Sequence, residues 1–145
     1  MRIAVGADHA GLDLKLHLSE ALSRLGHEVD DLGTHGREST DYPDWAARVA
    51  EAVATRRVER GVLVCGTGVG MAMAANRRRG VRAVAANDLF TARLAREHND
   101  ANLLALGARI VAPALAEEIL RVFLETPFAG GRHAPRVAKL DQAGS

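Results

Sequence analysis

The sequence predicts an α/β fold: a three-layer αβα sandwich built on a Rossmann-like, five-stranded parallel sheet. Short apolar runs alternate along the chain with amphipathic segments of about ten to fifteen residues, the pattern of parallel strands joined by right-handed crossovers. Glycine and proline punctuate the boundaries between them. Two strand orders are common for such sheets, 3-2-1-4-5 and 2-1-3-4-5. We expect 2-1-3-4-5, because its switch point between the first and third strands sets two chemically suggestive turns side by side.

RIAVGA at residues 2–7 reads as the first buried strand, and Asp8, His9, Ala10 and Gly11 form the turn after it. Leucines at 12, 14, 16, 18, 22 and 25 give residues 12–25 an amphipathic helical pattern, closed by Gly26 as its C-terminal cap. HEVDDL at 27–32 is polar enough for an edge strand. Residues 33–42 are a loop, and Pro43 suits the first turn of a helix running to about Arg57. Residues 61–65 make the third strand and 69–78 the third helix. GVRAVAA at 80–86 is a fourth strand, Asp88 caps a helix over 88–97, and ANLLALG at 101–107 is the fifth strand. Pro113 opens a helix to Glu125, and a last short helix spans 132–140 after a turn-rich link.

With 145 residues and neither a repeat nor a linker, the chain is expected to be one domain over 1–145. Nineteen basic and eighteen acidic residues leave a net charge of +1, which gives no general attraction to nucleic acid or an anionic membrane. No apolar run is long enough to span a bilayer, and one cysteine cannot form an internal disulfide, so the expected location is the cytoplasm. Aromatics are 3% of the chain; the core must therefore be aliphatic, and no stacking platform for bases or a flavin is evident.

The stretch VLVCGTGVGMAMAAN at 62–76 carries the strongest chemical signal. A strand ends at Cys65 and passes through Gly66, Thr67, Gly68, Val69 and Gly70 into a helix, so bare backbone N–H groups meet whatever approaches. The loop lacks the Gly-Lys-Ser/Thr ending of a P-loop and misses the dinucleotide GxGxxG spacing by one residue. By spacing alone it fits an anion site and a tight turn equally well. Cys65 by itself reads as a small buried hydrophobe; at a helix N-terminus, however, the thiolate is favoured and can abstract a proton. Asp8 and His9 fit both a capping pair and a ligand-contacting turn. His98 and Asn99 fit a helix C-terminus as well as a site. Arg132 and Arg136, four apart and flanking His133, are able to grip a phosphate from one helical face, with solvated surface arginines as the alternative. Tyr42 is a polar aromatic available to a sugar. Arg56, Arg57 and Arg77 to Arg79 read as solvated helix ends.

Together GADHAG, TDYPDWA, CGTGVGMAMAAN, REHNDANLLALGAR and GGRHAPRV occur in the order and spacing of the ribose-5-phosphate isomerase B family, which includes allose-6-phosphate and galactose-6-phosphate isomerases. The resemblance covers essentially the whole chain. It implies an aldose-ketose isomerase acting on a small phosphorylated sugar, with no cofactor and no metal. On the matching positions it implies Cys65 as the base that moves a proton between C1 and C2. Thr67 and the amides of Gly66, Gly68, Val69 and Gly70 become the anion hole for an enediolate. The ring-opening group is His98, helped by Asp8. His9, Arg132, His133 and Arg136 become the phosphate set, and Asn99 and Arg109 further substrate contacts. It further implies a homodimer, sometimes paired into tetramers, with the site shared between subunits. A branch that replaces the cysteine by glutamate does so at the position of Met71, which cannot titrate. Isomerisation of another sugar phosphate and a non-catalytic nucleotide- or phosphosugar-binding module are the competing readings.

Overall fold

A computed structural model of the chain describes residues 1–143. Five parallel strands, β1 (Arg2–Ala7), β2 (Glu28–Asp31), β3 (Arg60–Cys65), β4 (Ala83–Ala85) and β5 (Leu103–Gly107), form one sheet. Helices α1 (Leu12–Arg24), α2 (Tyr42–Ala54), α3 (Val69–Ala75), α4 (Leu89–Asn99), α5 (Pro113–Glu125) and α6 (Ala134–Ala143) complete it. The αβα sandwich is therefore as expected.

Alternation along the strands divides the core. Ile3, Val5, Val62, Val64, Leu104 and Leu106 face α1, α4 and α5, whereas Ala4, Leu63, Cys65, Leu103 and Ala105 face α2 and α3. All these strand residues are buried, as strands covered on both faces require.

The expected order 2-1-3-4-5 is corrected at one edge, because the strands run β2-β1-β3-β5-β4. The cause is apolar content. Every residue of β5 (LLALG) is buried, whereas β4 (AVA) is three half-buried residues preceded by Arg82. The more apolar strand gains more from two neighbours and takes the inner position. The outer edge of β4 is closed by a side chain: Asn76 donates from Nδ2 to the Ala83 carbonyl (2.9 Å) and accepts the Ala83 N–H at Oδ1 (2.8 Å). That clamp also explains why α3 stops at Ala75 rather than near residue 78.

The switch point between β1 and β3 is where it was expected. The Asp8 N–H donates to the Val64 carbonyl (3.2 Å), and Gly11 lies so close to β3 that a Cβ there would stand 2.3 Å from that oxygen. Gly11→Ala should therefore lift the turn and cost about 2 to 3 kcal/mol in denaturant unfolding. Gly36→Ala, which meets nothing within 4 Å, is the control; equal stability of the two variants would contradict this contact.

Candidate active site

At the carboxyl ends of β1, β3 and β5 the chain builds one cluster. Cys65 is buried at the end of β3, and the Gly68 N–H donates to its Sγ (3.1 Å). A thiolate accepts such a bond more strongly than a thiol. Gly68 has φ +85°, which a residue with a Cβ adopts only under strain, and this conformation turns its N–H back toward the sulfur. The Val69 N–H donates to Thr67 Oγ1 (3.2 Å), and in this first helical turn the Gly70 N–H has no helical acceptor. Tyr42, at the start of α2, lies over Gly70, where a Cβ would come within 2.5 Å of its ring. Arg109 joins the cluster: its N–H donates to the Gly66 carbonyl (3.0 Å), and its side chain runs 3.5 Å from where a Gly66 Cβ would be.

Asp8 and His9 complete this end. Asp8 is buried, and its Oδ1 accepts the Gly11 N–H (3.1 Å), so at least one oxygen serves as a cap. His9 is exposed, and its Nδ1 accepts the Thr40 N–H (3.1 Å).

Asn87 is a residue that motif reading missed. Its Nδ2 donates to the Thr67 carbonyl (3.0 Å) and its Oδ1 accepts the Gly107 N–H (2.8 Å), tying the glycine loop to the end of β5. A lone Asn between a strand and the capping Asp88 carried no signal beyond a turn.

His98, Asn99, His133 and Arg136 form a second cluster elsewhere. They line a cleft of about 360 Å³ with Val137 and Leu140, and the rings of His98 and His133 stack with centroids 4.3 Å apart. Because α4 starts beside Asn87 and runs back over 11 residues, about 16 Å, His98 lies toward the opposite end of the sheet from Cys65. Contacts just beyond it agree: Asp100 pairs with Arg82, which precedes β4, and the Asn102 carbonyl accepts the Gly61 N–H at the start of β3. Within the chain, then, Cys65 and Asp8 stand together and His98 stands apart from both.

Arg132 and Arg136 lie on a helical segment that changes from a 3-10 turn to an α-helix between them. Gly130 and Gly131 take positive φ, Gly131–His133 is a 3-10 turn, and α6 begins only at Ala134, with Pro135 in its first turn. Arg132 is in the tight turn and Arg136 in the helix that continues it; both cations act on His133, and Arg136 lines the cleft together with it.

Half-buried His133 titrates below the ordinary histidine range, first through desolvation and then through the neighbouring His98, Arg132 and Arg136 cations, with Glu97 opposing weakly. The unfolded chain therefore binds this proton more tightly. The stabilising difference is full above about pH 6.5 and declines as pH falls through that value. His133→Asn should flatten the pH dependence of the urea midpoint between about pH 7.5 and 5.5. An unchanged slope would remove His133 as a contributor.

The family model described as Ribose/Galactose Isomerase matches residues 3–140. The chain is 47% identical over 136 residues to ribose-5-phosphate isomerase B of Escherichia coli (strain K12), covering 94% of this chain and 91% of that protein. It is 41% identical over 141 residues to D-erythrulose-4-phosphate isomerase of Pectobacterium atrosepticum, covering 97% and 93%. The solved structure of Clostridium thermocellum ribose-5-phosphate isomerase B matches with a TM-score of 0.96 at 48% identity, over 98% of this chain and 96% of that one. Agreement in sequence and fold along nearly the whole length leads to one conclusion: the chain belongs to the ribose/galactose isomerase family.

Proposed function

We propose that this sugar-phosphate isomerase interconverts ribose 5-phosphate and ribulose 5-phosphate through a cis-enediolate. The observation that carries the reading is Cys65, held at a strand end with a backbone N–H on its sulfur and a glycine loop around it. In the open-chain aldose the Cys65 thiolate removes the proton from C2, the C2 electron pair forms the C1–C2 double bond, and the carbonyl electrons move to O1. The Gly70 N–H, with neighbouring loop amides and the Thr67 hydroxyl, stabilises that oxyanion. Cys65 then returns the proton to C1 while O1 gains a proton and O2 loses one, which leaves the ketose. His98 opens the furanose by moving a proton onto the ring oxygen. His9, His133, Arg132 and Arg136 hold the phosphate, whose binding energy aligns C1 and C2 with the base. Asp8, Tyr42, Asn99 and Arg109 contact the sugar.

The active form in this reading is a homodimer in which the cleft of one subunit faces the Cys65 cluster of the other. Two observations support it. The clusters lie toward opposite ends of the sheet in a single chain, so neither is complete alone. Around the Cys65 end, Val69, Met73, Phe90 and Ile110 are 50%, 68%, 62% and 56% exposed, an apolar rim that water alone would leave unfavourably solvated. No helix among the described residues is long and apolar enough to cross a membrane. The single free thiol suits a reducing compartment, and we assign the cytoplasm.

Ribose 5-phosphate is preferred as substrate because relatives at 47% and 48% identity bear that activity in their names. The relative named for erythrulose 4-phosphate, at 41%, makes a tetrose phosphate the second reading. Initial rates on ribose 5-phosphate, allose 6-phosphate, galactose 6-phosphate and erythrulose 4-phosphate discriminate them. Ribose 5-phosphate should give the highest kcat/KM, and a tenfold or larger preference for another sugar would replace it, about the margin one carbon can supply.

A further inference from the structure

The loop between β2 and α2, residues 32–41, is anchored at both of its ends. At its start the Lys15 ammonium, 1% exposed, donates to Asp31 Oδ1 (2.7 Å) and to the Thr34 carbonyl, and Ala7 exchanges two backbone hydrogen bonds of 2.8 Å with Gly33 and Thr34. Trp45, the one tryptophan, holds both ends from the first turn of α2. Its ring lies against Gly33, where a Cβ would come within 2.6 Å of Cζ3, and Arg48 stacks on the ring with its guanidinium 4.5 Å from the centroid. Its indole N–H donates to Thr40 Oγ1 (3.0 Å). The same Thr40 then donates its backbone N–H to Nδ1 of His9 (3.1 Å). A backbone N–H can only donate, so Nδ1 is an acceptor, and the neutral ring must carry its hydrogen on Nε2.

We propose that Trp45 is a positioning residue that acts through Thr40 to hold His9 in the Nε2–H tautomer. His9 then offers an oriented donor to an incoming anion without first gaining a proton. The consequence for binding rests on the phosphate role given to His9 above; the tautomer itself does not. Without the Trp45 hydrogen bond, Thr40 is an exposed-loop residue whose N–H has no fixed direction, and the ring is free to exchange tautomers and rotate.

Long-range proton–nitrogen NMR on histidine-labelled protein reads the tautomer directly, at about pH 8.5 where neutral imidazoles dominate. The His9 signal is assigned by its loss in His9→Asn. The full chain should show a single Nε2–H form. Trp45→Phe and Thr40→Val should each give a mixture of the two tautomers, whereas Thr40→Ser, which keeps the hydroxyl, should retain the single form. KM for ribose 5-phosphate should rise about three- to tenfold in the first two variants with kcat within about twofold, the size of one hydrogen bond. An unaltered single tautomer in Thr40→Val, or in Trp45→Phe if that protein folds, overturns the proposal whatever the kinetics do. A mixed tautomer with unchanged KM upholds the positioning and instead removes His9 from the phosphate site.

Discussion

Cys65→Ala protein is expected to fold normally and to lose isomerisation by about 10³-fold or more, the scale of a general base removed from a carbon-acid reaction. The substitution removes one sulfur from a site that is 6% exposed, so its structural cost is on the order of 1 kcal/mol. Cys65→Ser is the stricter version: it preserves shape and keeps an acceptor for the Gly68 N–H but offers an alcohol in place of a thiol. Both variants should also fail to exchange the C2 proton of ribose 5-phosphate with heavy water, which isolates the proton transfer from ring opening and product release. Near-normal exchange in either would mean that another group removes the proton, and no second thiol exists to take over. Met71, wholly buried and without a titratable proton, cannot do so.

Mixing two inactive variants should restore activity. In the proposed homodimer Cys65→Ala and His98→Asn should each spoil both sites, the first by removing the proposed base and the second by removing the proposed ring-opening group. When the two are unfolded together and refolded in equal amounts, about half the dimers are mixed. In each mixed dimer one site collects both substitutions and the other collects neither. About one quarter of wild-type activity is therefore expected, against near zero for either parent. The expectation follows from geometry: α4 carries His98 about 16 Å back along the sheet from the Asn87 end that clamps the Cys65 loop. Activity no greater than the parents, from a mixture demonstrated to contain mixed dimers, would mean that each site is built within one chain.

Much of this protein can be read from local pattern. The run from Val62 to Cys65, the glycines after it, the Asp88 cap and the prolines at 43 and 113 specify their own conformations through periodicity, φ preference and missing N–H groups, and the structure matches them. Asp88, for example, accepts the Thr91 N–H at 2.7 Å as a capping aspartate should. Where local pattern misled, a longer-range competition decided. The order of β4 and β5 followed the chain in expectation, but the fully buried β5 took the inner position and the half-buried β4 the edge.

By itself the sequence determined the element order, the fold class, the β1–β3 switch point and the Cys65 loop, because each depends on neighbours within a few residues or on rules that all parallel sheets obey. Tertiary structure alone decided that β5 lies inside β4, that Asn87 clamps the glycine loop, that His98 stands apart from Cys65, and that Trp45 donates to Thr40 and Thr40 to His9. Each of those is a contest for burial or for a hydrogen-bond partner between distant parts of the chain, and spacing along the sequence carries no record of who wins.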